Sequence, residues 1–267
     1  MSNRTTALGG GADRRVAVVT GGSSGIGAAI ARTLAEKGWQ LVLLARNEER
    51  LRGVADEVGA EHHVCDVGNR SRVEAVAEEI RERHPAIRLL VNNAGIPGRG
   101  GGFLDMEPER IEELIRVNYL GSIWCLRAFL PALEAAAPAD VVNVASVAGV
   151  IAVGESGPYS ASKHAQLAFS RSVGVELAGR EITVHSVMPG LIDTPGFPNR
   201  RRFHNALVQR VVAEPELVAE RVARAVERGR VEQFVPRWYR PAAIVQAVAP
   251  ALLARAARGL KTSRKPS

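Results

Sequence analysis

Short apolar runs alternate with segments of helical length along most of the chain, and this alternation restricts the folds that the sequence can adopt. The first run, Val16–Thr20, is almost entirely apolar, as expected for a strand that is buried on both faces. Further strands are predicted at Leu41–Ala45, His62–Cys65, Leu89–Asn92, Asp140–Ala145, Ile182–Val187 and Gln233–Pro236. Helices are predicted between them at about 25–37, 47–58, 70–83, 108–133 and 159–178. The pattern predicts an α/β fold with a doubly wound, mostly parallel sheet of about seven strands and helices on both faces.

The length of 267 residues suits one large domain better than two small ones. We predict a disordered tail over 1–14, a single domain over 15–240 and a basic extension over 241–267. Within the domain, 191–215 is predicted to form a lid over the substrate. The first fourteen residues contain no apolar segment of the kind found in secretory signals, so we expect a cytoplasmic protein.

A glycine-rich turn, Thr20–Gly27, lies where the first strand meets the first helix. Glycine permits a tight turn and allows the backbone to approach a bound pyrophosphate closely. The N-terminus of the following helix offers free N–H groups and a positive partial charge. This position predicts a dinucleotide site, although the glycine spacing differs from the common G-x-G-x-x-G pattern.

Tyr159 and Lys163 are four residues apart and therefore share one face of the predicted helix. A phenol with an ordinary pKa of about 10 exchanges protons poorly at neutral pH. A neighbouring lysine cation favours the phenolate and lowers that pKa. The pair is thus a candidate acid/base group for a substrate oxygen.

These segments together resemble the short-chain dehydrogenase/reductase family. The resemblance rests on Thr20–Gly27 as TGxxxGIG, Asn92–Gly95 as NNAG, Tyr159–Lys163 as YxxxK, and Pro189, Gly190 and Thr194 as PGxxxT. It covers most of the chain and implies a Rossmann fold. It also implies that the catalytic residues are Asn118, Ser146, Tyr159 and Lys163. The implied cofactor-binding residues are Gly21, Ser23, Ser24, Gly25, Ile26, Gly27, Asp66, Val67, Asn93, Ala94, Gly95, Tyr159, Lys163, Pro189, Gly190 and Thr194.

The resemblance further implies a role for each catalytic side chain. Ser146 hydrogen-bonds the reacting oxygen, Tyr159 exchanges its proton, and Lys163 tunes Tyr159 and binds the nicotinamide ribose. Asn118 bends a helix and holds a water that relays protons toward the lysine. Family members are commonly tetramers or dimers, so we expect a homo-oligomer.

The end of the second strand favours NADP(H) over NAD(H), which remains the alternative cofactor. An acidic residue there would bind the adenine ribose hydroxyls, but this chain has Ala45 followed by Arg46. Arg46 is added to the candidate cofactor residues because its planar guanidinium can pair with a 2′-phosphate.

Basic charge is concentrated in the last quarter of the chain. The segment Phe197–Ser267 contains 15 Lys and Arg and 5 Asp and Glu, whereas the remainder is slightly acidic. The stretch Pro241–Ala254 has no charged residue but is too short to cross a bilayer. Packing over the substrate pocket or against another subunit is favoured, and peripheral contact with an anionic membrane is the less favoured alternative. Arg200, Arg201 and Arg202 either attract an anionic substrate or form a solvated surface.

No metal site or nucleic-acid interface is predicted. Cys65 and Cys125 lie in no CxxC pattern, and the histidines have no metal-ligand spacing; they are His62, His63, His84, His164, His185 and His204. The basic tail has no recognised nucleic-acid reading motif. The sequence therefore predicts an NADP(H)-dependent carbonyl reductase or alcohol dehydrogenase acting on a small molecule. A non-catalytic NADP-binding regulator on the same fold is the alternative.

Overall fold

The structure is a computed structural model that describes residues 15–98, 103–152, 156–195, 212–251 and 254–255. The described strands are β1 (Val16–Thr20), β2 (Gln40–Ala45), β3 (Glu61–Val64), β4 (Leu89–Asn92), β5 (Ala139–Val144), β6 (Ile182–Pro189) and β7 (Glu232–Val235). They form one sheet in the order β3-β2-β1-β4-β5-β6-β7, and each neighbouring pair is parallel. The predicted doubly wound α/β fold is confirmed.

The described α-helices are α1 (Gly25–Glu36), α2 (Glu48–Val58), α3 (Arg70–Arg83), α4 (Pro108–Ile115), α5 (Gly121–Ala135), α6 (Gly157–Ala178), α7 (Pro215–Arg228) and α8 (Tyr239–Val248). Apolar residues of α1, α2 and α7 pack on one face of the sheet. Those of α3, α4, α5 and α6 pack on the other face. The central strands β1 and β4 are buried from both sides, which explains why Val16–Thr20 has no polar alternation.

Two helical regions differ from the sequence prediction. The helix predicted over 108–133 is divided by a π-helical turn at Arg116–Leu120, and it ends at Ala135. The apolar periodicity missed this turn because a π turn adds a residue without ending the helix. Helix α7 was not predicted; it begins with Pro215 at its first turn and ends before Gly229, which has the left-handed φ of 61°.

The strand order creates a crossover point at the carboxyl edge of the sheet, between β1 and β4. The chain begins in the middle at β1, proceeds outward through β2 to β3, and then crosses to β4 on the other side of β1. Ligands of such sheets bind beyond the carboxyl ends of the strands at this crossover. Thr20 ends β1 and Asn92 ends β4 at this point. No helix in the described part of the chain is both long and apolar enough to cross a membrane.

Candidate active site

The turn between β1 and α1 is built from closely packed glycines. Gly21 and Gly25 have φ of 70° and 54°, a left-handed conformation that glycine adopts without strain. A Cβ atom on Gly27 would lie 2.1 Å from the carbonyl oxygen of Gly21, so no larger residue fits there. The turn borders a cavity of about 340 Å³. Its lining includes the predicted cofactor residues Gly21, Ser23, Ser24, Gly25, Ile26, Gly27, Arg46, Asp66, Val67, Asn93, Ala94, Gly95 and Thr194.

Thr20 fixes the segment after β4 against this glycine turn. Its buried Oγ1 accepts the backbone N–H groups of Asn93 and Ala94, both at 3.0 Å. The side chain of Asn93 donates in turn to the carbonyl oxygen of Thr20 at 3.0 Å. Thr20 was predicted only as the first residue of the glycine motif, whereas in the structure it aligns the ends of β1 and β4.

The far end of this cavity lies beside β2 and β3. Arg46 follows β2, its side chain is 55% exposed, and its guanidinium lies 3.6 Å from the carboxylate of Glu113. The Oδ1 atom of Asp66 accepts the backbone N–H of Gly68 at 2.9 Å, which holds the turn after β3. The lining also includes Asn47 and Cys65, which the sequence analysis did not assign to the site. The sequence indicated these two residues only through their neighbours, since Asn47 follows Arg46 and Cys65 precedes Asp66.

Asn118 lies in the π turn between α4 and α5 and is completely buried. Its Oδ1 accepts the N–H of Ile96 at 2.8 Å, and its Nδ2 donates to the carbonyl oxygen of Ile96 at 3.1 Å. Nδ2 also donates to Ser162 Oγ on α6 at 3.0 Å. The turn thus connects the segment after β4 to the helix that carries Tyr159.

Ser146 and Tyr159 are brought together from different elements. Ser146 follows β5, where its Oγ accepts the N–H of Ala148 at 3.1 Å and donates to the carbonyl oxygen of Pro189 at 3.4 Å. Tyr159 lies in the first turns of α6. Burial raises the pKa of Tyr159, whereas a hydrogen bond with Ser146 lowers it, and burial has the larger effect. The tyrosine is therefore neutral at physiological pH in the chain on its own.

Lys163 is only 4% exposed, and burial lowers its pKa from 10.5 to about 8. The ammonium donates to the carbonyl oxygen of Val144 at 3.1 Å and to Gln166 Oε1 at 2.9 Å. The sequence analysis expected Lys163 to lower the pKa of Tyr159. Burial has the larger effect on the pKa of Tyr159 in this arrangement, so the stabilisation of a phenolate by Lys163 stays a prediction.

A second cavity, of about 200 Å³, contains these catalytic candidates. Its lining includes Ser146, Tyr159, Lys163, Pro189, Gly190 and Thr194. It adjoins the first cavity, since both are lined by Ile26, Asn93 and Thr194. The methyl group of Thr194 would lie 3.2 Å from a Cβ atom on Gly25, so Thr194 faces the glycine turn directly.

Helix α8 packs beside this second cavity. The ring of Tyr239 lies against Gly190, where a Cβ atom would be 2.0 Å from Tyr239 Cε2. The Tyr239 hydroxyl accepts the N–H of Leu191 at 3.4 Å. Further along α8, Gln246 Oε1 accepts the N–H of Ala152, which lies on the loop after β5, at 3.3 Å. The helix therefore joins the loop after β5 to the loop after β6, and Tyr239 and Gln246 were absent from the sequence-based candidates.

The described histidines take structural positions. His63 and His84 contact the carboxylate of Glu61 at 2.6 and 3.0 Å, and buried His185 contacts Asp140 at 2.8 Å. The part of the chain that the structure describes contains no His, Cys, Asp and Glu group arranged to hold a metal ion. His204, the three arginines at 200–202 and the cations after 255 lie outside the described residues.

Comparison with known proteins identifies the class. The family model described as short chain dehydrogenase matches residues 15–205. A 3-oxoacyl-(acyl-carrier-protein) reductase of Bos taurus is 37% identical over 67% of this chain and 76% of its own. An alcohol dehydrogenase from the archaeon Thermococcus sibiricus, solved with 5-hydroxy-NADP, has a TM-score of 0.74 and 29% identity, covering 83% of this chain and 96% of its own. A variant of actinorhodin polyketide ketoreductase, solved with NADPH, has a TM-score of 0.76 and 32% identity, covering 84% and 96%.

The fold and the site together define a nucleotide-binding oxidoreductase. The matches extend through the glycine turn, the π turn, Ser146 and the Tyr159–Lys163 pair. The chain belongs to the short-chain dehydrogenase family and is an oxidoreductase enzyme of that family.

Proposed function

We propose that this enzyme interconverts a ketone and a secondary alcohol with NADP(H). The observation that carries the proposal is that Ser146, Tyr159 and Lys163 line one cavity, which adjoins the glycine-turn cavity and shares lining residues with it. A proton-exchanging group thus adjoins a cleft shaped for a dinucleotide. This juxtaposition is what hydride transfer to a carbonyl carbon requires.

The residues around the first cavity fit a dinucleotide. The turn packs directly on the segment after β4, since a Cβ atom on Gly21 would lie 2.8 Å from Asn93 Nδ2, and both segments line the cavity. The pyrophosphate would be held at the N-terminus of α1. At the adenine end, the exposed guanidinium of Arg46 would exchange its 3.6 Å contact with Glu113 for a 2′-phosphate, and Ala45 places no carboxylate at the end of β2. The phosphorylated cofactors of both structural neighbours support this choice.

The side chains of the second cavity supply positioning and proton transfer. The nicotinamide, when bound, supplies or accepts the hydride. Ser146 and Tyr159 bind the carbonyl oxygen, and Tyr159 donates its proton to that oxygen during reduction. The positive charge of Lys163 stabilises the phenolate that remains. Asn118 holds the segment after β4 and, through Ser162, the start of α6, so that these groups keep their places.

The surroundings of this cavity favour an apolar ketone. Besides the polar catalytic groups, its lining includes Ile96, Pro97, Ala145 and Ile192. Helix α8 adds Tyr239 at one edge. Within the extension predicted over 241–267, Gln246 bonds the loop after β5, which favours packing on this domain over contact with a membrane.

The test is oxidation of NADPH, followed by its absorbance, with a panel of ketones, aldehydes, quinones, steroids and acyl thioesters. Wild type should turn over one class, with NADH used less well. Tyr159→Phe should lose turnover by about a hundredfold or more, since proton transfer by a positioned group contributes about 10²–10⁴, yet retain NADPH binding. Retained turnover in this variant would remove Tyr159 from the mechanism. Binding of NADPH without turnover of any class by wild type would favour a regulator.

A further inference from the structure

Lys163 is a buried cation that the described chain does not pair with a carboxylate. Its ammonium is bonded by two neutral acceptors, the Val144 carbonyl oxygen at 3.1 Å and Gln166 Oε1 at 2.9 Å. Gln166 lies one helical turn further along α6 and is only 1% exposed. The amide oxygen therefore accepts a hydrogen bond that water would accept from an exposed lysine.

The number of donors on the ammonium gives this contact a consequence. A lysine ammonium carries three N–H donors. Two are used by Val144 and Gln166, which leaves one among the contacts of the described residues. The Nζ atom lies 3.5 Å from the point that a Cβ on Gly95 would occupy, and Asn118 Oδ1 lies 3.1 Å from the same point. Gly95 lines both cavities, so the ammonium and its remaining donor lie beside the wall that the two cavities share.

The turn of α6 that carries Gln166 is itself fixed to the sheet. Ser170 Oγ donates to the backbone oxygen of Gln166 at 2.7 Å, and Asn143 Nδ2 donates to Ser170 Oγ at 2.8 Å. Asn92 Nδ2 donates to Asn143 Oδ1 at 2.9 Å. This buried series of hydrogen bonds fixes the position of Gln166 relative to β4 and β5.

The neutrality of Gln166 also has a physical effect. Tyr159 on α6 is the titratable neighbour with which Lys163 shares the second cavity. The strand end at Val144 and the loop at Gly95 contribute uncharged groups. In the π turn, Arg116 is exposed and lies against Gly68 rather than Lys163. A carboxylate at position 166 would instead offset the positive charge of the ammonium and raise the pKa of the lysine.

We propose that Gln166 is a positioning residue for Lys163: a neutral acceptor that fixes the ammonium by one donor and leaves its charge and another donor directed at the active site. This inference rests on the proposed function for the role of Lys163. The contact itself is independent of turnover and can be tested without a substrate.

The test is NMR titration of protein labelled with [ε-¹³C]lysine, with the cofactor absent. The chain has four lysines, Lys37, Lys163, Lys261 and Lys265, so the spectrum is simple, and Lys163→Met assigns the signal. In wild type the Lys163 signal should titrate with a pKa near 8, because burial disfavours its charged form. In Gln166→Glu the midpoint should rise by about one unit or more, since an adjacent opposite charge shifts a pKa by about 1–3 units.

A second variant and a control separate positioning from general disruption. Gln166→Leu removes the acceptor without adding charge, so the midpoint should fall. NADPH affinity should weaken by about tenfold, because binding must then hold the ammonium in place without the charged hydrogen bond that fixes it in wild type. Gln40→Glu adds the same charge at the amino end of β2, away from the site, and should leave both readouts unchanged. Far-UV circular dichroism reports whether each variant is folded.

The outcomes separate this inference from the proposed function. A Lys163 midpoint that is unchanged in Gln166→Glu, or NADPH affinity that is unchanged in Gln166→Leu, overturns the positioning role. Absence of turnover in wild type counts against the proposed reaction and leaves the titration result standing.

Discussion

Replacing Lys163 by methionine tests the energetic cost of burying its ammonium group. Lowering the pKa of this ammonium from 10.5 to about 8 means that the folded chain holds the charge at a disadvantage. Each pKa unit corresponds to about 1.4 kcal/mol, so the disadvantage is about 3 kcal/mol at neutral pH. The side chain is 4% exposed, and solvent therefore screens little of this cost.

The cost depends on pH in a defined direction. The folded pKa is below the unfolded one, so between about pH 8 and pH 10.5 the unfolded chain binds more protons at this lysine. The cost is fully present below about pH 8 and disappears as the pH rises to about 10.5. Within that window, the contribution of Lys163 to the free energy of unfolding becomes more favourable by about 1.4 kcal/mol per pH unit.

Lys163→Met removes this cost but also removes two hydrogen bonds. The Val144 carbonyl and Gln166 Oε1 lose their donor, at roughly 1–3 kcal/mol for each buried group left unpaired. The net effect at neutral pH is thus a near balance, whereas only the charge term varies with pH. We therefore expect the free energy of unfolding of the variant, relative to wild type, to fall by about 2 kcal/mol between about pH 7.5 and pH 9.5.

Urea unfolding followed by circular dichroism at these two pH values, at one protein concentration, measures the difference. Lys37→Met is the matched control, because Lys37 is 42% exposed and pairs with Glu227 on the surface. Its difference from wild type should stay constant within about 0.5 kcal/mol, as expected for a surface ion pair. If the Lys163→Met difference is equally constant, the lysine is not held against its charge and the reasoning fails.

Three further substitutions probe the cofactor cleft and its edge. Arg46→Asp should reduce selectivity for NADPH over NADH by about tenfold or more in steady-state kinetics, because it replaces a partner of the 2′-phosphate by a like charge; unchanged selectivity would remove Arg46 from the cofactor site. Gly27→Ala places a methyl group 2.1 Å from the Gly21 oxygen, so calorimetry should find NADPH binding lost, and binding near the wild-type Kd would show that the turn is looser than described. Tyr239→Ala should raise KM for the ketone more than Tyr239→Phe does, since the ring packs on Gly190 while the hydroxyl makes one long hydrogen bond of 3.4 Å; equal effects would indicate that the packing is unimportant.

The fold could be predicted from the sequence because its signals are local. A strand buried on both faces, such as Val16–Thr20, is apolar without interruption, and the glycine turn follows it directly. Helix α7 was missed although its sequence is amphipathic and has proline and glycine at its ends. It follows the irregular segment that was assigned to the lid, which was predicted to extend as far as Pro215. The strand order itself requires tertiary information, since no local pattern states that β4 lies beside β1.

Candidate residues were predictable where a short pattern accompanies them. Tyr159 and Lys163 were found by their spacing, and the structure brings them into the cavity that Ser146 also lines. Tyr239 had no such pattern. Its contact with Gly190 joins residues 49 positions apart, and it depends on the absence of a side chain at the glycine. Such a fit is visible only after the chain has folded.

The environment of Lys163 shows most clearly why spacing alone is insufficient. The four-residue separation from Tyr159 indicated a lysine that lowers the pKa of a neighbouring phenol, and the same helical rule places Gln166 beside that lysine. The sequence does not state which neighbour receives the ammonium. That outcome depends on burial, because a charge removed from water bonds to every acceptor within reach, and here these are the Val144 carbonyl and the Gln166 amide. A nicotinamide ribose would therefore be offered the one donor that these two acceptors leave, and Gln166 fixes the position of the ammonium that presents it.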